Sequence, residues 1–148
     1  MRIVLQRVAR ASVTVDGAPV SRIGAGLLAL VGAGRDDAED EPERLAEKVA
    51  NLRVLADDEG RMNRSVAETG GEVLVVSQFT LYGDVRRGRR PSWTAAAEPG
   101  IAAERVERFA SALEARGLAV GRGVFGAHMD VELLNDGPVT ILLDGAER

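Results

Sequence analysis

The residues with the clearest chemical potential form one short stretch, Ser77-Gln78-Phe79-Thr80, which carries two hydroxyls and a carboxamide. It follows residues 73–76, a continuous apolar run that is typical of a strand buried on both faces. Polar groups at the end of such a strand must pair within the protein or face a pocket that holds a ligand. The stretch is therefore our first candidate for a functional site.

A basic cluster lies shortly after this strand and has two interpretations. Arg86, Arg87, Arg89 and Arg90 surround a glycine, and taken alone such a cluster is more often a solvated loop. Its position beside the polar strand end favours contact with phosphate, because the guanidinium fork matches phosphate oxygens. Trp93 follows, and the sequence does not decide whether it is a core residue or a stacking surface.

Composition excludes several classes of site. The chain of 148 residues has no cysteine and one histidine, His128, which excludes disulfide frameworks, cysteine nucleophiles and the common Cys/His zinc sites. We expect no metal and no cofactor. A Ser-His-Asp arrangement would have to use His128, whose neighbours show no spacing that orients a base, so a surface or packing role is favoured. A dinucleotide loop at Gly32-Ala33-Gly34 is disfavoured, because its third glycine is missing.

Charge and hydropathy give weaker indications. The net charge is −4, from 19 basic and 23 acidic residues, so the overall charge gives no sign of nucleic-acid binding. No apolar run approaches the roughly 20 residues of a membrane span, and charges at Arg2 and Arg7 interrupt the N-terminus too early for a signal peptide. We expect a cytoplasmic protein without membrane contact.

Periodicity predicts an α+β fold. Asp16-Gly17 is the turn signal of a hairpin, and Leu45 and Val49 have the spacing of a helix whose first turn suits Pro42. The predicted elements are a hairpin at 13–23, a strand at 26–31, a helix at 40–50, a hairpin with arms at 52–55 and 62–66, the strand before Ser77, a helix at 101–116 and closing strands at 131–134 and 139–143. We expect one domain over residues 1–148, a mostly antiparallel sheet or open barrel with two packed helices.

The segment between the closing strands, Asn135-Asp136-Gly137-Pro138, is predicted to be a tight turn. Each of its residues favours turns for its own physical reason. A cis peptide bond before Pro138 has a prior of only about 5–6 per cent, and periodicity does not raise that figure.

Two motifs together resemble the signatures of the D-aminoacyl-tRNA deacylases. They are residues 77–82, Ser-Gln-Phe-Thr-Leu-Tyr, and residues 135–140, Asn-Asp-Gly-Pro-Val-Thr. Four further segments are similar to that family, in the same order and at compatible spacing: 5–8, 11–13, 88–92 and 123–127. The resemblance spans nearly the whole chain and is hard to explain by chance.

The resemblance implies a homodimer that hydrolyses the ester between a D-amino acid, or glycine, and the 3'-terminal adenosine of tRNA. Each active site would combine a strand of residues 77–80 from one subunit with Gly137-Pro138 from the other. The peptide bond before Pro138 would then be cis, and Arg7 would hold the turn. Two rigid carbonyls would bind the α-ammonium and exclude an L side chain, while a D side chain points to solvent.

The same resemblance implies catalytic roles for Ser77, Gln78, Phe79 and Thr80. The 2'-hydroxyl of the terminal ribose would assist the reaction, and the amides of Phe79 and Thr80 would face the developing oxyanion. We favour this mechanism over a covalent intermediate on Thr80, because a hydroxyl nucleophile needs a base to activate it.

Binding of the tRNA end is assigned to other residues. Phe125 and Met129 are candidates for packing on the terminal adenine, and the four arginines 86, 87, 89 and 90 for phosphate contact. This chain has His128 where the family often has an acidic residue.

Two other functions remain open from the sequence. One is a non-catalytic dimer that binds RNA ends with the same pocket and the same four arginines. The other is a hydrolase of small esters or peptides that uses Thr80 or Ser77 directly as a nucleophile. Incubation with D-Tyr-tRNA and L-Tyr-tRNA separates the three possibilities.

Overall fold

The fold is organised around one long strand. A computed structural model describes residues 1–147. The elements are β1 (Arg2–Val15), β2 (Ala18–Ile23), β3 (Gly26–Gly32), α1 (Glu41–Asn51), β4 (Leu55–Ala56), β5 (Met62–Arg64), α2 (Val66–Thr69), β6 (Glu72–Ser77), a 3-10 helix (Phe79–Tyr82), α3 (Pro99–Glu114), β7 (Ala119–Arg122) and β8 (Asp130–Asp144). β1 pairs with β2, β3 and β8, so it contacts half of the large sheet directly.

Six strands form one nearly closed sheet. Their order is β2-β1-β3-β6-β7, and β8 pairs with the other side of β1. The three pairings of β1 are antiparallel, whereas β3-β6 and β6-β7 are parallel. The predicted fold class, a single α+β domain with a mostly antiparallel sheet or open barrel and two packed helices, is confirmed.

Each face of the sheet buries its own core. On one face α1 and α3 cover the sheet, so that Leu45 and Phe109 pack against strand residues such as Ile3. The other face curls inward around Val13 and Leu28. Because β3 and β6 are covered on both faces, they are continuous apolar runs in the sequence.

The two predicted helices are confirmed with small shifts of their ends. α1 covers 41–51 instead of 40–50, and α3 covers 99–114 instead of 101–116. Pro42 and Pro99 both lie in a first turn, where the missing amide hydrogen would have no partner in the helix anyway. Gly117, with a φ of 83°, turns the chain after α3 toward β7, a strand that the sequence analysis missed.

The second hairpin is shorter than predicted, because residue 66 begins α2 instead of continuing the strand. The Ser65 hydroxyl accepts a hydrogen bond from the Glu68 amide at 3.2 Å, and the Glu68 carboxylate accepts one from the Ser65 amide at 2.7 Å. This reciprocal pair is a capping box. The Ser-x-x-Glu spacing is the sequence signal of this helix start.

Replacing Ser65 with alanine should destabilise the protein. Ser65 is 3% exposed, and loss of an N-cap acceptor costs about 1 kcal/mol of unfolding free energy, which lowers Tm by about 2–4 °C in a chain of this size. Glu68→Gln keeps an acceptor for the Ser65 amide and is the matched control. Thermal unfolding followed by circular dichroism measures both, and an unchanged Tm for Ser65→Ala would contradict the capping assignment.

The prediction of two closing strands joined by a tight turn is wrong. β8 runs continuously beside β1, with Gln6 opposite Thr140 and Val8 opposite Asn135. A two-residue step along β1 thus matches a five-residue step along β8, and residues 136–139 bulge out of the sheet. We call these four residues the protrusion. Turn-forming residues here interrupt a strand without reversing the chain, as in a large β-bulge.

Candidate functional site

The polar stretch lies where β6 ends and the 3-10 helix begins. β6 ends at Ser77, and the Gln78 amide still donates a hydrogen bond to the Val31 carbonyl oxygen at 2.8 Å. The strand implied for residues 77–80 is therefore wrong beyond Ser77. Gly32 permits the turn, because a Cβ there would lie 2.8 Å from the Gln78 carbonyl oxygen. The Gly32-Ala33-Gly34 segment thus allows Gln78 and Tyr82 to pack closely against the end of β3.

A cleft of about 590 Å³ opens at this end of the sheet. Ser77, Gln78 and Phe79 form one wall, and Phe125 and Met129 lie among the residues that face them. The volume is in the usual range for small-molecule sites. The structure therefore brings five of the predicted site residues around one cavity.

Thr80 is held by its neighbour Gln78. The Thr80 hydroxyl oxygen accepts a hydrogen bond from the side-chain amide of Gln78, and within residues 1–147 it has no hydrogen bond to a carboxylate or imidazole. A carboxamide cannot take up a proton from a hydroxyl. The amides of Phe79 and Thr80 belong to the first turn of the 3-10 helix, whose amides have no partner within the helix.

Aromatic side chains border the cleft. Phe79 is 56% exposed and Trp93 is 40% exposed, and their rings meet edge to face with centroids 5.1 Å apart. Trp93 is therefore a wall of the cleft and not a core residue. Phe125 is also exposed, so the cleft offers flat apolar surfaces to a ligand.

The 3-10 helix is fastened to the body of the protein by its last residue. The buried Tyr82 hydroxyl donates a hydrogen bond to Asp37 at 3.0 Å, and Arg105 lies 3.6 Å from the same carboxylate. Burial, and next the Asp37 carboxylate, raise the pKa of Tyr82 well above its ordinary value. The hydroxyl therefore remains a donor at physiological pH and holds the site segment in place.

The protrusion is held by Arg7. Its guanidinium donates hydrogen bonds to the carbonyl oxygens of Asp136 at 3.0 Å and Val54 at 2.9 Å. From the other side, the Asn135 side-chain amide donates to the Arg7 carbonyl oxygen at 2.9 Å. The peptide bond between Gly137 and Pro138 is cis. The hydrogen bonds of Arg7 and Asn135 fix the backbone of an otherwise exposed segment.

Within one chain the protrusion is far from the cleft. Ser77 lies in a row with Val31 of β3, Ile3 of β1 and Leu143 of β8, whereas the protrusion lies beside Arg7, four residues further along β1. Three strand spacings across the sheet and four residue rises along it combine to a separation of roughly 20 Å measured on the sheet, and none of residues 136–139 lines the cleft. A single subunit therefore does not bring the two motifs together.

The basic cluster of Arg86, Arg87, Arg89 and Arg90 contains two kinds of residue. Arg86 donates to Asp84 through two nitrogens, at 2.9 and 2.6 Å, and this pairing lowers the pKa of Asp84 to about 2. Arg87, Arg89 and Arg90 are exposed and form no salt bridge within residues 1–147. Their charges are free for an external anion, whereas that of Arg86 is largely neutralised.

His128 lines the cleft but is not held as a base. Its side chain is 95% exposed and lies 3.8 Å from Asp130. No group of three or more metal-binding side chains is present among the described residues. In the same part of the chain, no helix has the length and apolar character that a bilayer requires.

Two charged residues of the cleft, Arg35 and Glu98, were not predicted from the sequence. Gly34 and Ala96 form an isolated bridge, which draws the segment before α3 against the end of β3 and places both side chains at the cleft. The sequence has no periodic signal for such a bridge between two loops.

Comparison with known proteins agrees with this architecture. Curated relatives named D-aminoacyl-tRNA deacylase include those of Roseiflexus castenholzii, 64% identical over 99% of this chain and 93% of the relative, and Thermomicrobium roseum, 60% identical over 99% and 96%. A solved structure named c-Myc DNA Unwinding Element Binding Protein superposes with a TM-score of 0.90, at 40% identity over 97% of this chain and 98% of that one. A structure of a probable eukaryotic D-amino acid tRNA deacylase has a TM-score of 0.81 at 21% identity, over 96% and 97%, and shares the fold.

The fold together with these relatives thus places the protein in a class of small α+β hydrolases. The family model described as D-Tyr-tRNA(Tyr) deacylase matches residues 4–144. The chain belongs to this family, as its two motifs predict.

Proposed function

We propose that the protein hydrolyses the ester bond of D-aminoacyl-tRNA, and of tRNA carrying glycine, while it spares L-aminoacyl-tRNA. The products are the free amino acid and tRNA with a free 3'-hydroxyl. The observation that carries the proposal is the cleft in which Ser77, Gln78 and Phe79 meet the exposed Phe125. A cytoplasmic location, where charged tRNA is found, follows from this function.

The active form is a homodimer. The protrusion and the cleft lie roughly 20 Å apart in one chain, so a site that contains both needs a second copy. A two-fold axis would insert each protrusion into the cleft of the other subunit and would produce two equal sites.

An apolar surface suited to this contact lies between the two motifs. Leu142, Val4 and Leu30 are paired in one row across β8, β1 and β3. Leu142 is 77% exposed, and the row faces away from α1 and α3. We call these three residues the apolar row. Exposed apolar side chains beside an unpaired strand edge are typical of association surfaces.

Chirality is read by the backbone of the protrusion. Arg7 and Asn135 fix this backbone by hydrogen bonds at 2.9 to 3.0 Å. The rigid carbonyls of Gly137 and Pro138 bind the α-ammonium and fill the space into which an L side chain would project. A D side chain then points to solvent, so its identity has little influence on the rate.

Catalysis relies on position and on oxyanion stabilisation. The substrate's 2'-hydroxyl hydrogen-bonds to the attacking water, which adds to the ester carbonyl carbon. The bond from that carbon to O3' then breaks, and a proton lost by the water passes through the 2'-hydroxyl to O3', which leaves as the free 3'-hydroxyl. The amides of Phe79 and Thr80 stabilise the negative charge that develops on the carbonyl oxygen. Support comes from the Thr80 hydroxyl, whose hydrogen-bond partner is the amide of Gln78 and not a base.

The tRNA end is bound by stacking and by charge. The terminal adenine packs on Phe125 and Met129, because a flat apolar wall binds a base without net positive charge. The exposed arginines 87, 89 and 90 contact backbone phosphates, and Arg86 contributes less because Asp84 occupies its guanidinium.

The decisive test measures release of tyrosine from D-Tyr-tRNA and from L-Tyr-tRNA by the wild-type protein. We expect release from the D substrate, and a preference over the L substrate of at least about 100-fold, because an L side chain must displace fixed backbone. Binding without release would favour the non-catalytic dimer. Similar rates on both substrates would favour direct attack by Thr80 or Ser77.

A further inference from the structure

A second groove lies on the outer surface of the sheet and shares no residue with the cleft. Its volume is about 290 Å³, and it is lined by Arg10, Ala11, Ser12, Arg22 and Glu132. Ser12 lies opposite Arg22 on one side and opposite Glu132 on the other. Because side chains alternate along a strand, Arg10 lies on the same outer face as Ser12, whereas Ala11 packs into the inner core.

The two guanidinium groups of this groove have no anionic partner in the described part of the chain. Other arginines are held by carboxylates, as Arg122 is by Glu107 at 2.9 Å. Arg10 and Arg22 are both exposed, and neither forms a salt bridge within residues 1–147. Their Cα atoms are diagonal neighbours, roughly 7–8 Å apart, so both can reach one phosphate or two successive ones.

The groove lies close to the protrusion. Arg10 is three residues beyond Arg7, whose guanidinium binds the Asp136 carbonyl oxygen. The groove therefore begins roughly 10 Å from the protrusion along β1. In the proposed dimer, where the protrusion of one subunit enters the cleft of its partner, the groove would therefore lie on the inserting subunit roughly 10 Å from the point of entry.

We propose that Arg10 and Arg22 bind phosphodiester groups of the tRNA whose 3' end occupies the partner subunit's cleft. The inference rests on the proposed function, and it assigns one tRNA to both subunits: the cleft of one holds the ester, and the groove of the other holds the backbone. Ser12 adds a hydroxyl donor between the arginines. Glu132 repels the phosphates and limits the affinity, which favours release of the product.

The test compares a long and a short substrate. D-Tyr-tRNA reaches the groove, whereas the D-tyrosyl ester of adenosine fills only the cleft. For the double variant Arg10→Gln/Arg22→Gln we expect KM for D-Tyr-tRNA to rise about 10-fold with kcat unchanged, and the salt slope of log KM to fall by about 2. Its rate on the short ester should equal that of the wild type.

Three further variants sharpen the comparison. The double variant Arg10→Lys/Arg22→Lys keeps both charges and should retain the wild-type salt slope. Glu132→Gln removes the repulsion and should lower KM for D-Tyr-tRNA about 3-fold. Arg61→Gln, at an arginine that is 67% exposed on the β4-β5 hairpin, is the matched control and should change neither quantity.

The outcomes separate this inference from the proposed function. If the wild type cleaves D-Tyr-tRNA and the glutamine variant has the same KM and salt slope, the inference alone is overturned. Equal losses on the long and the short substrate would also overturn it, because they indicate a structural role. A wild type that cleaves neither substrate overturns the proposed function, and this inference with it.

Discussion

Leu142→Asp should convert the proposed homodimer into a monomer that no longer cleaves D-Tyr-tRNA. Leu142 is the most exposed large apolar side chain among the described residues, at 77%, so aspartate costs the isolated subunit little. In the proposed dimer the two-fold axis would bury two copies of the new carboxylate. Each uncompensated charge costs several kcal/mol, so the dissociation constant should rise by at least about 1000-fold.

The measurement is molar mass by sedimentation equilibrium, together with the initial rate of D-Tyr-tRNA hydrolysis at the same protein concentration. Met62→Asp is the matched control, because Met62 is also exposed, at 57%, but lies on the β4-β5 hairpin, a sheet separate from the one that carries the apolar row. It should remain dimeric and active. A monomeric Leu142→Asp protein with the wild-type rate would refute the shared site.

Mixing two inactive variants tests the shared site from another direction. Gln78→Ala damages the cleft, and Arg7→Gln releases the protrusion, whose Asp136 carbonyl oxygen loses its donor. In a mixed dimer one site combines both defects and the other combines neither. Random reassortment should therefore restore about a quarter of the wild-type rate, whereas sites built within single chains would stay inactive.

The sheet and the two long helices could be predicted because their signals are local. The spacing of Leu45 and Val49, and the unbroken apolar run before Ser77, reflect burial on one helix face or on both strand faces. The short helix α2 also has a local signal, the Ser65-x-x-Glu68 spacing of its capping box.

The protrusion shows where local reasoning fails. Asn135, Asp136, Gly137 and Pro138 are all turn formers, and a hairpin is their ordinary outcome. The pairing of β8 with the whole length of β1 is a long-range interaction. Residues on both sides of the protrusion pair with the same strand, so the chain does not reverse there. The periodicity of a short stretch of sequence does not indicate this long-range pairing.

The cleft was predictable on one side only. Ser77 and Gln78 are marked by a polar change at the end of an apolar run. Arg35 and Glu98 come to the cleft through the Gly34-Ala96 bridge, and in the proposed homodimer the protrusion meets the cleft of a second subunit. Neither contact produces a recognisable pattern in a single sequence. The expectation that the protrusion meets a cleft came only from the resemblance to a family.

Removal of the 2'-hydroxyl from the substrate should slow hydrolysis far more than removal of the Thr80 hydroxyl. A positioned substrate hydroxyl that assists proton transfer contributes about 10²–10⁴-fold, so tRNA ending in 2'-deoxyadenosine should react at least about 100-fold more slowly. Thr80→Val keeps the size of the side chain and loses the hydroxyl that accepts a hydrogen bond from Gln78. Its single-turnover rate should fall less than about 10-fold, because that hydroxyl has no base beside it.

A substrate ending in 2'-fluoroadenosine is the matched control, since fluorine preserves the approximate size of the group but cannot donate a hydrogen bond. It should be as slow as the deoxy substrate, which separates proton donation from packing. The opposite ranking would refute substrate assistance: a Thr80→Val rate reduced more than 100-fold, with the deoxy substrate nearly unaffected, assigns the attack to Thr80. Mass spectrometry of the quenched reaction would then detect the tyrosyl ester on that residue, because a threonyl intermediate must form one before water releases the amino acid.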